Sequence, residues 1–220
     1  MSSQRSSRLL SLFVENKDKS LSFGHEIIPG LYLANKHALI LGGEGEKWLR
    51  NTSTNAVICC AAEIINDVMT LKDSELGKNL AGGVTFIPME EADIRKIQYS
   101  IEDSAYTVNL ENQLREAAAL INDNLTLGRR VIVACKYGYN RSASSVLAYF
   151  VLYRSMNLID GLELIRSVRT KVYPNFETWP ALLSIEKSMI VSNGESAAVS
   201  PSLQWEDIMA YHAWSPKNRH

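Results

Sequence analysis

Three cysteines in 220 residues are too few for a disulfide framework, and two of them, Cys59 and Cys60, are adjacent. A reducing, intracellular setting is the economical reading. Long apolar runs are missing too: the most apolar stretches, Ala56 to Ala62 and Val131 to Cys135, fall far short of a membrane span. Neither sign of charge dominates, with 23 lysines and arginines against 24 acids and a net charge of −1. That balance argues against a generally basic nucleic-acid binder and a polybasic membrane anchor, while leaving room for a small positive pocket. The four histidines lack metal-ligand spacing. The Gly42-Gly-Glu-Gly-Glu-Lys stretch carries two acids that would repel phosphate, and no Gly-Lys-Ser/Thr follows it. No internal repeat stands out. The N-terminus shows neither an apolar leader nor a glycine at position 2, and the final Asn-Arg-His is not a prenylation box. A soluble, cytoplasmic protein is expected, with the nucleus left open, and with no membrane partner.

What is there is ordinary globular material, 46% hydrophobic and 21% charged, enough for one domain with tails. Residues 1–23 read as a tail, serine and arginine rich at its start, with a short apolar helix over Leu9 to Val14. Residues 24–192 read as the compact domain, and 193–220 as a linker and tryptophan-containing tail that docks on the body or on a partner. Ile27-Ile-Pro-Gly-Leu-Tyr-Leu predicts strand, tight turn, strand. Asn35 should cap a short helical piece that the glycines from 42 break. Ala56–Ala62 is a strand covered on both faces. The polar stretch from Ile64 to Arg95 should hold a helix and an extra strand near Val84. Residues 97, 99 and 101 alternate as another strand should. A long helix with Val108, Leu110, Leu114, Ala117, Ala118 and Ile121 on its apolar face ends at Gly128. A buried strand from Val131, a buried helix over Ser142 to Tyr153, a helix capped by Asp160, and one introduced by Pro174-Asn175 complete the domain. The alternation predicts an α/β fold with a central, mostly parallel sheet flanked by helices.

One segment stands apart: Val131-Ile-Val-Ala-Cys135-Lys136-Tyr137-Gly138-Tyr139-Asn140-Arg141-Ser142. A buried strand ends at a cysteine, a short loop follows, and a helix starts at once. Such a loop can turn its N–H groups inward as an anion cradle above the helix N-terminus. Gly138 permits the tight fold-back, and Arg141 offers a planar fork to phosphate. A cysteine held among these groups favours the thiolate, a nucleophile aimed at phosphorus.

This Cys-x5-Arg-Ser pattern resembles the signature of cysteine-based protein tyrosine phosphatases. Ile28-Pro-Gly-Leu-Tyr-Leu-Ala-Asn, Ala148-Tyr-Phe-Val, and Pro174-Asn-Phe followed by Leu182, Leu183 and Glu186 resemble segments of the dual-specificity branch in the right order. The resemblance spans roughly residues 25–190. It implies a phosphoprotein phosphatase acting on phosphotyrosine and phosphoserine/threonine through a phosphocysteine on Cys135, with no metal and no cofactor. Ser142 is similar to the family serine that hydrogen-bonds the sulfur; capping the following helix is the plainer role, and one hydroxyl can do both.

The leaving oxygen needs a general acid. Asp103 follows the strand at 96–101, and a β-α-β crossover to the strand at 131 would bring it to the sheet edge that holds Cys135. It stands 32 residues before that cysteine, a spacing similar to the family's. Asp93, Glu91 and Glu102 are alternatives.

Two departures matter. The family's histidine before the cysteine is Ala134 here, which implies a weaker enzyme with a higher pH optimum rather than a dead one. Gly138-Tyr-Asn-Arg is similar to the loop of RNA 5′-triphosphatases, on the same scaffold, and Lys136 adds positive charge, although it can equally be a solvated lysine. An RNA-end or other non-protein phosphatase is therefore one alternative, the one case in which nucleic acid is a partner. A phosphate-binding pseudophosphatase module is another. Some relatives protect an oxidised catalytic cysteine with a disulfide from the neighbouring strand. Cys59 or Cys60 could serve so here, or both pack the core.

Overall fold

The computed structural model describes residues 22–90, 105–192 and 203–214. Five strands, β1 (Gly24–Ile28), β2 (Leu31–Asn35), β3 (Ala56–Cys59), β4 (Gly83–Phe86) and β5 (Val131–Cys135), form one sheet in the order β1-β2-β5-β3-β4. β2, β5, β3 and β4 run parallel, and β1 pairs antiparallel at the edge. The hairpin turns at Pro29-Gly30, where proline sets the second turn residue and Gly30 adopts φ +84° at the third. The central strand β5 is buried at every position because chain covers both its faces.

Alternation sorts the strand residues into two cores. Leu31, Leu33, Ala56, Ile58, Val131 and Val133 pack into one core with residues of four helices: α4 (Ala105–Thr126), α5 (Arg141–Arg154), α6 (Leu158–Val168) and α7 (Trp179–Ser192). Tyr32, Ala34, Val57, Cys59, Ile132 and Ala134 share the other with Leu49 of α1 (Glu44–Asn51) and Val68 and Leu71 of α2 (Ile65–Asp73). Helix α5 is buried from Arg141 through Val151. Its small residues Ala143, Ser144, Ser145 and Ala148 suit a helix packed on all sides.

The polar stretch before β4 holds two helices instead of one, α2 and the short α3 (Glu75–Lys78). Gly42, at φ +81°, does break the chain, but a helix restarts at Glu44 and contains Gly45. A Cβ at Gly45 would stand 1.9 Å from the His37 carbonyl oxygen, so this glycine serves close packing. Helix α6 is capped by Asn157, not Asp160: Asn157 is extended, and its side chain accepts from the Asp160 N–H at 2.8 Å. Asp160, in the first turn, returns the favour by accepting from Asn157 Nδ2 at 2.7 Å. On α4, Leu110, Leu114, Ala117, Ala118 and Ile121 are buried as expected, whereas Val108 faces solvent.

Helix α8 (Trp205–Trp214) docks on the body through Ile208, with Leu203 just before it in the same core, and the Trp205 ring packs on Phe176 at 4.9 Å. The predicted helix at 9–14 and strand at 96–101 lie outside the described residues. No described helix is long and apolar enough to cross a membrane.

Candidate active site

Parallel strands carry their C-terminal ends to one edge of the sheet. There β5 ends at Cys135, the loop 136–140 turns back, and α5 begins at Arg141. The turn depends on Gly138, whose φ is +72°.

The loop's five carbonyls are all taken by groups outside its cradle. The Lys36 N–H donates to Lys136 O at 3.3 Å, and the Tyr173 N–H to Tyr139 O at 2.8 Å. Arg169 donates through Nε to Gly138 O at 2.8 Å and through Nη2 to Tyr137 O at 3.4 Å. The Ser144 N–H donates to Asn140 O at 2.8 Å. A peptide unit whose C=O points one way aims its N–H the other, so this pattern turns the loop amides inward. Asn140 also ties the loop to the segment before α7, its Oδ1 accepting from the Asn175 N–H at 2.9 Å and from Thr178 Oγ1 at 3.3 Å. Ala134 makes no side-chain bond of this kind, and loop order comes from Arg169, Tyr173 and Asn140.

Cys135 is 2% exposed. Its sulfur accepts from the Gly138 N–H at 3.3 Å and from Ser142 Oγ at 3.1 Å. Ser142 therefore bonds the sulfur. It does not cap α5, since it lies inside the helix and Asn140 holds the cap position.

Arg141 is 4% exposed and has its partners on the β3 and β4 side. Nη1 donates to Glu63 Oε2 at 2.6 Å and to the Met89 carbonyl at 3.1 Å, while Nη2 donates to Glu63 Oε1 at 2.5 Å. Partial burial pushes the Glu63 carboxyl up. The Arg141 hydrogen bonds, its own backbone N–H and the charges of Arg141 and Lys136 outweigh that and hold it below the usual carboxylate range. Nothing in the local sequence singles out Glu63, although it stands just past β3, at the sheet edge that holds Cys135. The same is true of Arg169.

Beside the loop lies a cleft of about 340 Å³, lined by Lys136, Tyr137, Tyr139, Arg169 and Lys171 among others. Tyr137 and Tyr139 stack with ring centres 5.4 Å apart, and Lys136 Nζ lies 5.0 Å from the Tyr137 ring centre. Lys136 is thus half-buried against the ring rather than freely solvated.

Cys59 pairs in register with Ala134 and shares the core face of Cys135, while Cys60 belongs to the opposite core and accepts from Ser145 Oγ at 3.4 Å. Burial pushes both thiols up, that of Cys60 to about 12, so both stay protonated near neutral pH. The four candidate acids, Asp103, Asp93, Glu91 and Glu102, lie outside the described residues. No cluster of three or more potential metal ligands occurs among the described residues.

Comparison with known proteins agrees with this geometry. The family model for the dual specificity phosphatase catalytic domain matches residues 57–188. Dual specificity protein phosphatase 1-B of Xenopus laevis is 30% identical over 103 residues, covering 47% of this chain and 28% of the relative. Dual specificity protein phosphatase Mpk3 of Drosophila melanogaster is 30% identical over 129 residues, covering 56% and 31%. The matched region thus spans under a third of either relative. The crystal structure of human DUSP28 superposes with a TM-score of 0.56 at 17% identity, covering 77% of this chain and 97% of that one. The fold, the cysteine loop and the domain match together make this chain a member of the dual specificity phosphatase family of the cysteine-based protein tyrosine phosphatase superfamily.

Proposed function

We propose that the chain is a cysteine-dependent phosphatase for phosphorylated tyrosine and serine/threonine in proteins, acting in the cytoplasm or nucleus. The observation that carries this reading is the loop itself. Its carbonyls are bonded outward, its amides face inward, and the Cys135 sulfur lies among them with Arg141 behind.

In the first step Cys135 Sγ attacks phosphorus. The S–P bond forms, the P–O bond to the leaving group breaks, and an acid protonates the departing oxygen. In the second step water attacks the phosphocysteine, the same residue takes its proton, and the thiolate leaves. The Ser142 hydroxyl, 3.1 Å from Sγ, supports that departure by donating to the developing negative charge. The inward amides and Arg141 meet the equatorial oxygens, where charge gathers.

Asp103 remains our candidate for the acid on the crossover geometry. The anchoring of Met89 supports Glu91 and Asp93 on different grounds. Glu91 and Asp93 follow Met89, whose carbonyl Arg141 holds, by two and four residues in the sequence. Glu102, next to Asp103, completes the set.

The test is hydrolysis of an aryl phosphate and a phosphopeptide by the wild type and by Cys135→Ser, Asp103→Asn, Asp93→Asn, Glu91→Gln and Glu102→Gln. Cys135→Ser is expected to abolish turnover of both substrates. Loss of the acid should cost about 10²- to 10⁴-fold on the phosphopeptide and less on the aryl phosphate, whose leaving group needs little protonation. A phosphopeptide rate unmoved by all four acid variants would refute the acid step.

The stacked tyrosines with Lys136 favour one second reading. A flat, anionic substrate such as an RNA 5′ end could lie on that platform. Faster turnover of triphosphate-ended RNA than of phosphopeptides would select it. A binding-only module is less well supported, because nucleophile, hydroxyl and arginine are all retained. Of the two adjacent cysteines, Cys59 is our candidate redox partner, because it shares the core face of Cys135.

A further inference from the structure

Resting on the phosphatase reading, we infer that Glu63 is a positioning residue for Arg141, fixing the guanidinium so that its remaining edge meets the phosphoryl oxygens. Both Nη atoms donate to the two Glu63 oxygens, a bidentate, end-on grip. The Met89 carbonyl accepts from the same Nη1. A carboxylate and a carbonyl therefore line that end of the fork, and no phosphate dianion can sit there. The phosphate must take another edge of the guanidinium plane, and the Glu63 grip determines how that plane is turned.

The reverse role, a carboxylate latch that substrate must displace, fits the geometry less well. Displacing Glu63 would break the bidentate pair that now compensates the burial of the Arg141 cation, and the Met89 carbonyl on the same Nη1 would oppose an incoming phosphate dianion more than it opposes a carboxylate. The side chain of Glu63 keeps about a third of its exposure (34%), so solvent supports the carboxylate while Arg141 is turned inward. The same contact reaches further along the chain. Ala62 N–H also donates to Met89 O, at 3.2 Å, so the residue before Glu63 and the arginine that Glu63 grips hold the same carbonyl.

The Glu63 carboxyl lies below its ordinary range, so the ion pair is fully formed above that range and is lost only as pH falls through the lowered value. Between pH 5 and 8 it stays intact, and the effect of removing it should be the same throughout.

The experiment measures kcat and KM for an aryl phosphate in wild type, Glu63→Gln and Glu63→Asp. In parallel, calorimetry measures tungstate binding to each in the Cys135→Ser background, and thermal unfolding is recorded for all. Glu63→Gln preserves shape but replaces one acceptor by a donor facing Arg141. It should lower kcat about tenfold or more, raise KM a few-fold and weaken tungstate binding to a similar extent, since small errors in placement are costly. The kcat ratio to wild type should stay flat from pH 5 to 8. Glu63→Asp keeps the charge but falls one methylene short, and should lie between the two. If Glu63→Gln does not fold, the aspartate variant decides by the same measures. Unchanged kcat and tungstate affinity in a folded variant would overturn the inference. So would tighter tungstate binding with faster turnover, which is the signature of a latch. A wild type without Cys135-dependent turnover would instead refute the phosphatase reading, and tungstate binding would still decide the role of Glu63.

Discussion

Arg141→Lys is expected to lower kcat/KM for an aryl phosphate by about 10³-fold, although the positive charge is kept. Arg141 must satisfy two demands at once: it donates to both Glu63 oxygens and to the Met89 carbonyl, and it must still present a planar edge to phosphate. A lysine ammonium is a compact point charge without a fixed fork, so it can meet one demand or the other. Losing one oriented donor at a developing oxyanion costs about 10²- to 10³-fold, and here a pair of donors is lost together with its orientation. Steady-state kinetics on a folded variant measures the effect. A loss of less than about tenfold would mean that charge alone suffices and that the fork geometry is idle.

Gly138→Ala is expected to remove most activity and to lower the melting temperature. Two penalties combine. The residue sits at φ +72°, where a side chain costs about 1–2 kcal/mol. The new Cβ would also stand 2.6 Å from the Ala34 carbonyl oxygen and 2.7 Å from its carbon. Those atoms belong to the backbone of β2, which is paired with β5 and cannot yield without opening the sheet. A third close atom, Arg169 Nη2 at 2.8 Å, belongs to the side chain that holds two loop carbonyls. Relief by moving either neighbour therefore disorders the loop whose amides should bind phosphate. An alanine variant with native melting temperature and rate would show that the loop has slack that this geometry denies.

The division between what the sequence revealed and what it hid is a division between local and distant causes. Strand, cysteine, loop and helix lie within a dozen residues, and each announces itself through apolar continuity, a glycine and an abrupt change of period. Cys135, Arg141 and Ser142 were legible for that reason. The supports of the loop were not. Arg169, Tyr173 and Asn175 follow α6, about thirty residues on, and nothing in their local pattern marks the first two as partners of loop carbonyls or the third as a partner of the Asn140 side chain. Glu63 looked like any polar residue at a strand end. Only the parallel order β5-β3, which brings both strand ends to one edge, gives it meaning. The Asp160 cap failed for a smaller reason: asparagine and aspartate three positions apart bond each other, and extended backbone at Asn157 decides which one caps. Gly45 was misread because a glycine chosen for close packing looks in sequence like one chosen to break a helix.

The most direct test of the phosphocysteine chemistry is to quench the enzyme with acid during turnover of a phosphopeptide and locate phosphoryl groups by peptide mass spectrometry. The expected result is one phosphoryl group on the peptide that carries Cys135, accumulating most in an acid variant whose second step is slowed, and absent from Cys135→Ser. Turnover that persists in Cys135→Ser, or a phosphoryl group on a different residue, would contradict it.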